Sequence, residues 1–128
     1  MTVLVDAIYC DEIRLEASNK LIVIGVYDDT LAAGTLEHGI QITIWLRFFG
    51  LEEGTHKNTI SLFLDDEPIF EAEGELLANG VNVAQAYLQK AGLDIKREGT
   101  LRTVIDFEGR EPLHTQSLKI VLSENDRA

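Results

Sequence analysis

Carboxylates are the side chains of this sequence best suited by type and spacing to do chemistry. They cluster at Asp28-Asp29, Glu52-Glu53 and Asp65-Asp66-Glu67, each where an apolar run ends. Calcium takes about six to eight oxygens from flexible loops, and paired acids at strand ends supply oxygens of that kind. Hydrophilic turn tips carry the same residues with no ion, and this second reading is the one adopted: no metal and no cofactor is expected. A further set, Glu71, Glu73 and Glu75, shares one face of one strand at roughly 7 Å spacing. Like charges at that distance cost only about 0.6 kcal/mol in water, so the row is tolerable alone. It guards an edge strand against pairing with another chain, or it imitates a phosphate backbone.

Other chemistries lack their parts. Nucleophilic catalysis needs a nucleophile beside a base, often on a sharp glycine-bounded turn, and no such arrangement is visible. His38, His56 and His114 lie far apart, without metal-ligand spacing, in loops or at strand ends. Cys10 ends an apolar strand, a setting for a small buried side chain rather than a reactive thiolate. No glycine-rich phosphate-binding loop with its lysine is present. The chain is therefore expected to have no catalytic residue and not to be an enzyme.

The aromatic residues make a sharper argument. From Ile40 to Phe49 the even positions Ile40, Ile42, Ile44, Leu46 and Phe48 are all apolar, so they face a core. Trp45 and Phe49 then project the other way, with Arg47 between them, and Phe63 projects opposite to Ile60, Leu62 and Leu64. Each large aromatic brings about 150–250 Å² of surface, so something should cover them. Either residues 81–91 or 30–39 fold over them, or Trp45, Arg47, Phe49 and Phe63 form a surface for a protein partner or for self-association.

The elements that must position these groups are mostly strands, because a period of two recurs along the chain. Residues 3–10 read as a first strand. In residues 12–17, Glu12, Arg14 and Glu16 alternate with Ile13, Leu15 and Ala17, a strand wet on one face. Residues 21–27 hold no polar side chain before the tyrosine that ends them, which predicts a strand covered on both faces in the middle of a two-layer structure. Residues 30–39 carry no period and read as a loop crossing between sheets. Asn79-Gly80 is a strong hairpin signal. The following segment fits a helix through Ala84, Tyr87, Leu88 and Ala91, or a strand through Val81, Val83 and Tyr87. Leu101, Thr103, Ile105 and Phe107 alternate cleanly, and Leu118, Ile120 and Leu122 make a last strand.

Composition sets the class. A chain of 128 residues with 45% hydrophobic content suits one domain spanning residues 1–128. The 11 basic against 22 acidic residues give a formal charge of −11, which opposes direct nucleic-acid binding. The single cysteine cannot close a disulfide within the chain, which fits a reducing compartment. The opening residues lack a basic region, Asp6 interrupts their apolar stretch, and no stretch is long enough for a membrane span. A cytoplasmic protein without a membrane partner is expected.

The expected fold class is all-β: an antiparallel two-sheet β-sandwich, immunoglobulin-like, of about eight or nine strands. With only Cys10 and Trp45 present there is no Cys-Trp-Cys framework, so a disulfide-bearing immunoglobulin domain proper is excluded. Several pieces together carry a resemblance: an early apolar strand ending in Asp6, Lys-Leu-Ile-Val-Ile-Gly-Val-Tyr-Asp at 20–28, Leu-Phe-Leu-Asp-Asp at 62–66, and Gly-x-x-Arg-x-x-Ile-Asp-Phe-Glu-Gly at 99–109. The chain resembles, over nearly its whole length, an uncharacterised bacterial family of small β-sandwich proteins, a domain of unknown function. In such proteins a tyrosine often follows the late glycine, whereas Leu101 stands nearest that place here. The resemblance implies a fold, passes on no catalytic residue, and favours a strand over residues 81–89. Function is then expected to be non-enzymatic binding or accessory work, the alternative being an acidic nucleic-acid-mimicking inhibitor of a DNA- or RNA-binding protein.

Overall fold

A computed structural model describes residues 2–18, 20–79 and 83–123. Among these the chain is all-β, with eleven strands and no helix. β1 (Leu4–Cys10), β5 (Ile40–Phe49) and β8 (Val83–Leu93) form an antiparallel three-stranded sheet in the order β1-β5-β8. A second, six-stranded sheet runs β4 (Thr30–Ala33), β11 (Leu118–Leu122), β9 (Gly99–Phe107), β6 (Gly54–Leu64), β7 (Glu67–Ala78), with β10 (Leu113–His114) also on β9. It is mixed, because β4 and β11 run parallel. β2 (Glu12–Leu15) and β3 (Leu21–Ile24) pair only with each other.

The two larger sheets share one core, and the alternation of their strands decides which residues enter it. Ile42, Ile44, Leu46 and Phe48 are no more than 1% exposed, and the expected even face of β5 is thus the inner one. Leu62 and Leu64 of β6, Leu101 and Ile105 of β9, and Leu118 and Ile120 of β11 meet them from the other sheet. Phe48 and Phe107 stack edge-on across the layers, ring centroids 5.4 Å apart. Full burial of one such aliphatic or aromatic side chain stabilises the fold by about 1.5–3 kcal/mol. A polar tie crosses the core as well: the buried Tyr9 hydroxyl donates to Gln116 O at 2.8 Å and lies 2.9 Å from Thr103 Oγ1.

The hairpin between β6 and β7 turns on Asp65, a non-glycine residue at φ 56°. Such a left-handed conformation is tolerated by aspartate when its polar groups are satisfied locally. Here the Asp65 N–H donates to Thr100 O, its carboxylate accepts from Thr100 N and Arg97 Nη1, and its carbonyl accepts from Arg102. The turn is thereby stitched to the start of β9.

Four expectations are corrected. The apolar run 21–27 is not a doubly covered central strand: β3 ends at Ile24, and Ile22, Ile24 and Val26 are exposed. Its strand conformation breaks at Gly25, φ 69°, where a Cβ would collide with the Asp11 carboxylate, and Tyr27 N–H turns back to Tyr9 O. Residues 30–39 are not wholly a loop, since 30–33 form β4. Four residues are too few to show a period, which is why the pattern hid the strand. In the strand of residues 12–17 only Ile13 of the apolar set is buried, while Leu15 and Ala17 face solvent, because β2 belongs to an arm outside the main sheets. Among the described residues the strand number is eleven rather than eight or nine, and one sheet is mixed rather than antiparallel. Residues 83–93 are strand, not helix; Gly80, Val81 and Asn82, on which the hairpin signal and part of that segment fall, lie outside the described residues.

Candidate functional site: the outer face of the three-stranded sheet

Strand register places side chains that are far apart in sequence side by side on the face of β1-β5-β8 turned away from the core. Trp45 lies between Ile8 and Tyr87, Arg47 between Asp6 and Gln85, and Phe49 between Leu4 and Val83. Two apolar rows therefore flank one polar row. The remaining exposure is largest at the rim, 61% for Leu4 and 43% for Tyr87. None of the six apolar side chains belongs to the core or packs against it.

The polar row is internally paired. Arg47 Nη2 donates to Asp6 Oδ2 at 2.6 Å, and Gln116 Nε2 donates to Asp6 Oδ1 at 2.9 Å. These hydrogen bonds, from Gln116 first and Arg47 second, hold the Asp6 carboxyl below the usual aspartate range. The Arg47 guanidinium carbon sits 5.2 Å from the Trp45 ring centroid and 5.9 Å from that of Phe49. A cation over an aromatic face is worth about 0.5–1 kcal/mol where solvent still reaches it. Trp45 Nε1 donates to Gln85 Oε1 at 2.8 Å, and Arg47 Nε is buried with no acceptor. Arg47 thus partly covers the rings, and the result is an amphipathic surface whose single ion pair is already satisfied. Such a surface can bury apolar area against another macromolecule without stripping a lone charge of its water.

Phe63 does not join this surface. It belongs to the other sheet, on the outer side of β6, where Arg102 lies over its ring at 5.3 Å. Nor do residues 83–91 or 30–39 fold over Trp45. β8 lies beside β5 as a neighbouring strand and enlarges the exposed face. Leu4, Ile8, Val83 and Tyr87 join Trp45 and Phe49 through pairing between residues 34 or more positions apart, which no local pattern shows.

The carboxylates are placed elsewhere. Asp65 and Glu67 are both engaged by Arg97, at 2.7 and 3.3 Å, so a cation already stands between them. Glu52 meets Arg110 at 3.5 Å. Among the described residues no group of three or more His, Cys, Asp or Glu side chains is arranged to hold a metal ion. Glu71, Glu73 and Glu75 are exposed on β7, which is an edge strand. Glu73 and Glu75, with Asp106, Glu108, Lys57 and Thr59, line an open groove of ≈ 520 Å³ between β6, β7 and β9. Cys10 is buried, and that burial pushes its thiol pKa up, the opposite of what a nucleophile requires. His56 Nε2 lies 2.7 Å from Glu52 O; His38 and His114 are exposed. Among the described residues no helix is long and apolar enough to cross a membrane. No protein-family model matches the chain, and a search of curated proteins returns no significant relative.

Proposed function

We propose that the chain is a two-layer β-sandwich, immunoglobulin-like in the broad sense, that acts in the cytoplasm as a non-enzymatic binding protein through the outer face of its three-stranded sheet. The observation that carries this reading is the pair of apolar rows, Leu4–Phe49–Val83 and Ile8–Trp45–Tyr87, on either side of the Asp6–Arg47 pair, with Leu4, Val83 and Tyr87 exposed and Ile8, Trp45 and Phe49 half-buried between them. Contiguous apolar surface of this kind marks protein contact sites, and tryptophan, tyrosine and arginine are the side chains that dominate binding energy there. The partner that fits is a protein with an apolar surface edged by basic groups, since the chain carries a formal charge of −11. The resemblance to uncharacterised bacterial sandwich proteins agrees with this fold and adds no activity.

Capture of partners from the source cell tests the reading, with Tyr87→Ser bait as the control. The Tyr87 side chain makes no polar bond to the described residues and is half exposed, so its loss should spare stability. A partner retained at high salt by the wild type and lost by Tyr87→Ser supports the proposal. Equal capture by both baits sinks it.

A second reading rests on the opposite side of the molecule. Glu71, Glu73 and Glu75, with Asp106 and Glu108 nearby, concentrate negative charge on the outer face of the larger sheet. A phosphate-mimicking inhibitor of a nucleic-acid-binding protein would use that face. Its binding would fall steeply with salt, compete with DNA or RNA, and ignore Tyr87→Ser.

A further inference from the structure

We infer that the hairpin arm β2–β3 is a self-association element: β3 pairs edge to edge with β3 of a second copy of this chain, antiparallel about a two-fold axis at Ile22. The inference is independent of the Trp45 face and begins from the backbone. Ile13 gives both of its main-chain groups to a side chain, its N–H to Gln89 Oε1 at 3.0 Å and its C=O to Gln89 Nε2 at 2.7 Å. Ile13 is the cross-strand partner of Val23. In an antiparallel pair, hydrogen-bonded and non-bonded pairs alternate. Since Ile13 faces Gln89, the Ile13–Val23 pair is a non-bonded one, and Val23 and Leu21 turn their N–H and C=O groups to the free side of β3. Among the described residues no strand occupies that side.

Those two residues are spaced for self-pairing. Placing Leu21 opposite the second copy's Val23, and Val23 opposite its Leu21, closes four main-chain hydrogen bonds. Ile22 then faces Ile22 across the axis in the closely spaced non-bonded pair, and Lys20 falls opposite Ile24. The exposed Ile22 and Ile24 side chains, at 41% and 36%, are what such a pairing buries on one face.

Charge selects a second copy despite the overall formal value of −11. The charged residues of the arm, Glu12, Arg14, Glu16 and Lys20, cancel, and from Leu21 to Tyr27 there are none. Two arms therefore meet without the repulsion that pairing through the Glu71, Glu73 and Glu75 row of β7 would bring. β7 carries Glu71, Glu73 and Glu75 along its edge, and β1 is capped at Ala7 by the Gln116 carboxamide. β3 alone of these three edges has neither device, and an apolar, unguarded edge is a template for pairing.

Sedimentation across a concentration series tests this, with Val23→Pro and Ile22→Lys as variants. Proline at 23 removes an outward N–H while leaving the β2–β3 bonds made by Arg14 and Ile22 in place; lysine at 22 sets like charges against each other at the axis. The wild type should show a reversible dimer in roughly the micromolar range, and each variant should weaken it about tenfold or more with its melting temperature near that of the wild type. A wild type that stays monomeric to ~1 mM overturns the inference. So does a dimer that survives both variants, or one that Tyr87→Ser abolishes while Val23→Pro does not. If Val23→Pro fails to fold, Ile22→Lys decides alone.

Discussion

The carboxamide of Gln116 pairs with Ala7 as a strand's peptide group would, accepting from its N–H at 3.2 Å and donating to its C=O at 2.6 Å. The edge of β1 is thereby closed at Ala7 by a side chain from the approach to β11, as Tyr27 N–H closes it at Tyr9 O. The same carboxamide nitrogen also reaches Asp6, which ties the edge to the polar row of the candidate binding face.

Gln116→Ala should destabilise the fold by about 1–3 kcal/mol, because it leaves the backbone groups of Ala7, a buried residue, without their partners. Denaturant unfolding measures the change. A loss near zero would mean that water replaces the carboxamide without penalty.

Acid should weaken the molecule at Asp6. Its carboxyl is held below the ordinary aspartate range by Gln116 and Arg47, so the folded state binds a proton less readily than the unfolded chain. That contribution is complete above the unfolded value and is lost as pH falls through the folded one. Asp6→Asn should therefore lower stability at neutral pH and flatten the acid limb of a melting-temperature profile. A parallel downward shift at all pH values would count against the linkage.

Alkali should act at Tyr27. Its phenol, partly buried and donating to Asp11 Oδ1 at 2.6 Å, has its pKa pushed up to about 12. Here the folded state holds its proton longer than the unfolded chain does, so this group's contribution declines from about pH 10 and is gone above about pH 12. Phenolate absorbance during an alkaline titration should lose a component near the top of that window in Tyr27→Phe. An unchanged curve would refute the assignment.

At the hairpin turn, Asp65→Asn should be milder than Asp65→Ala. Asparagine tolerates the positive φ and keeps an acceptor for Thr100 N, whereas alanine keeps neither advantage. The order of unfolding midpoints checks this, and reversal would mean that the Arg97 ion pair outweighs backbone conformation.

Trp45→Ser should cost stability as well as binding. It removes the Gln85 hydrogen bond and one face of the Arg47 sandwich, so about 1–2 kcal/mol is expected from these contacts together. Tyr87→Ser should stay within about 0.5 kcal/mol of the wild type. Thermal or chemical melts of the two variants, read together, distinguish a face that supports the fold from one that serves another molecule.

Much of the strand pattern was legible because it is local. The even positions of β5 and the clean alternation of Leu101, Thr103, Ile105 and Phe107 state their burial in their own residues. β3 misled for a physical reason: an unbroken apolar run is equally the mark of a strand covered on both faces and of one left to find cover. Only the Gly25 turn and the engagement of Ile13 by Gln89 separate the two, and neither follows from the run itself. Trp45, Arg47 and Phe49 could be named from parity, but Ile8, Leu4, Tyr87 and Val83 join them through register, which no local pattern encodes. Phe63 falls with them by parity alone, because parity gives the inward or outward sense of a side chain and not the sheet to which it belongs.

The parallel pairing of β4 with β11 has a consequence for synthesis. β4 is made early, yet its partner β11 arrives only after nearly all the intervening chain, and translation proceeds at about 5–20 residues per second. For several seconds on the ribosome, then, Thr30–Ala33 must wait while the apolar arm just before it is already exposed. The edge that β11 later covers is thus open to other strands for as long as synthesis of the intervening chain lasts.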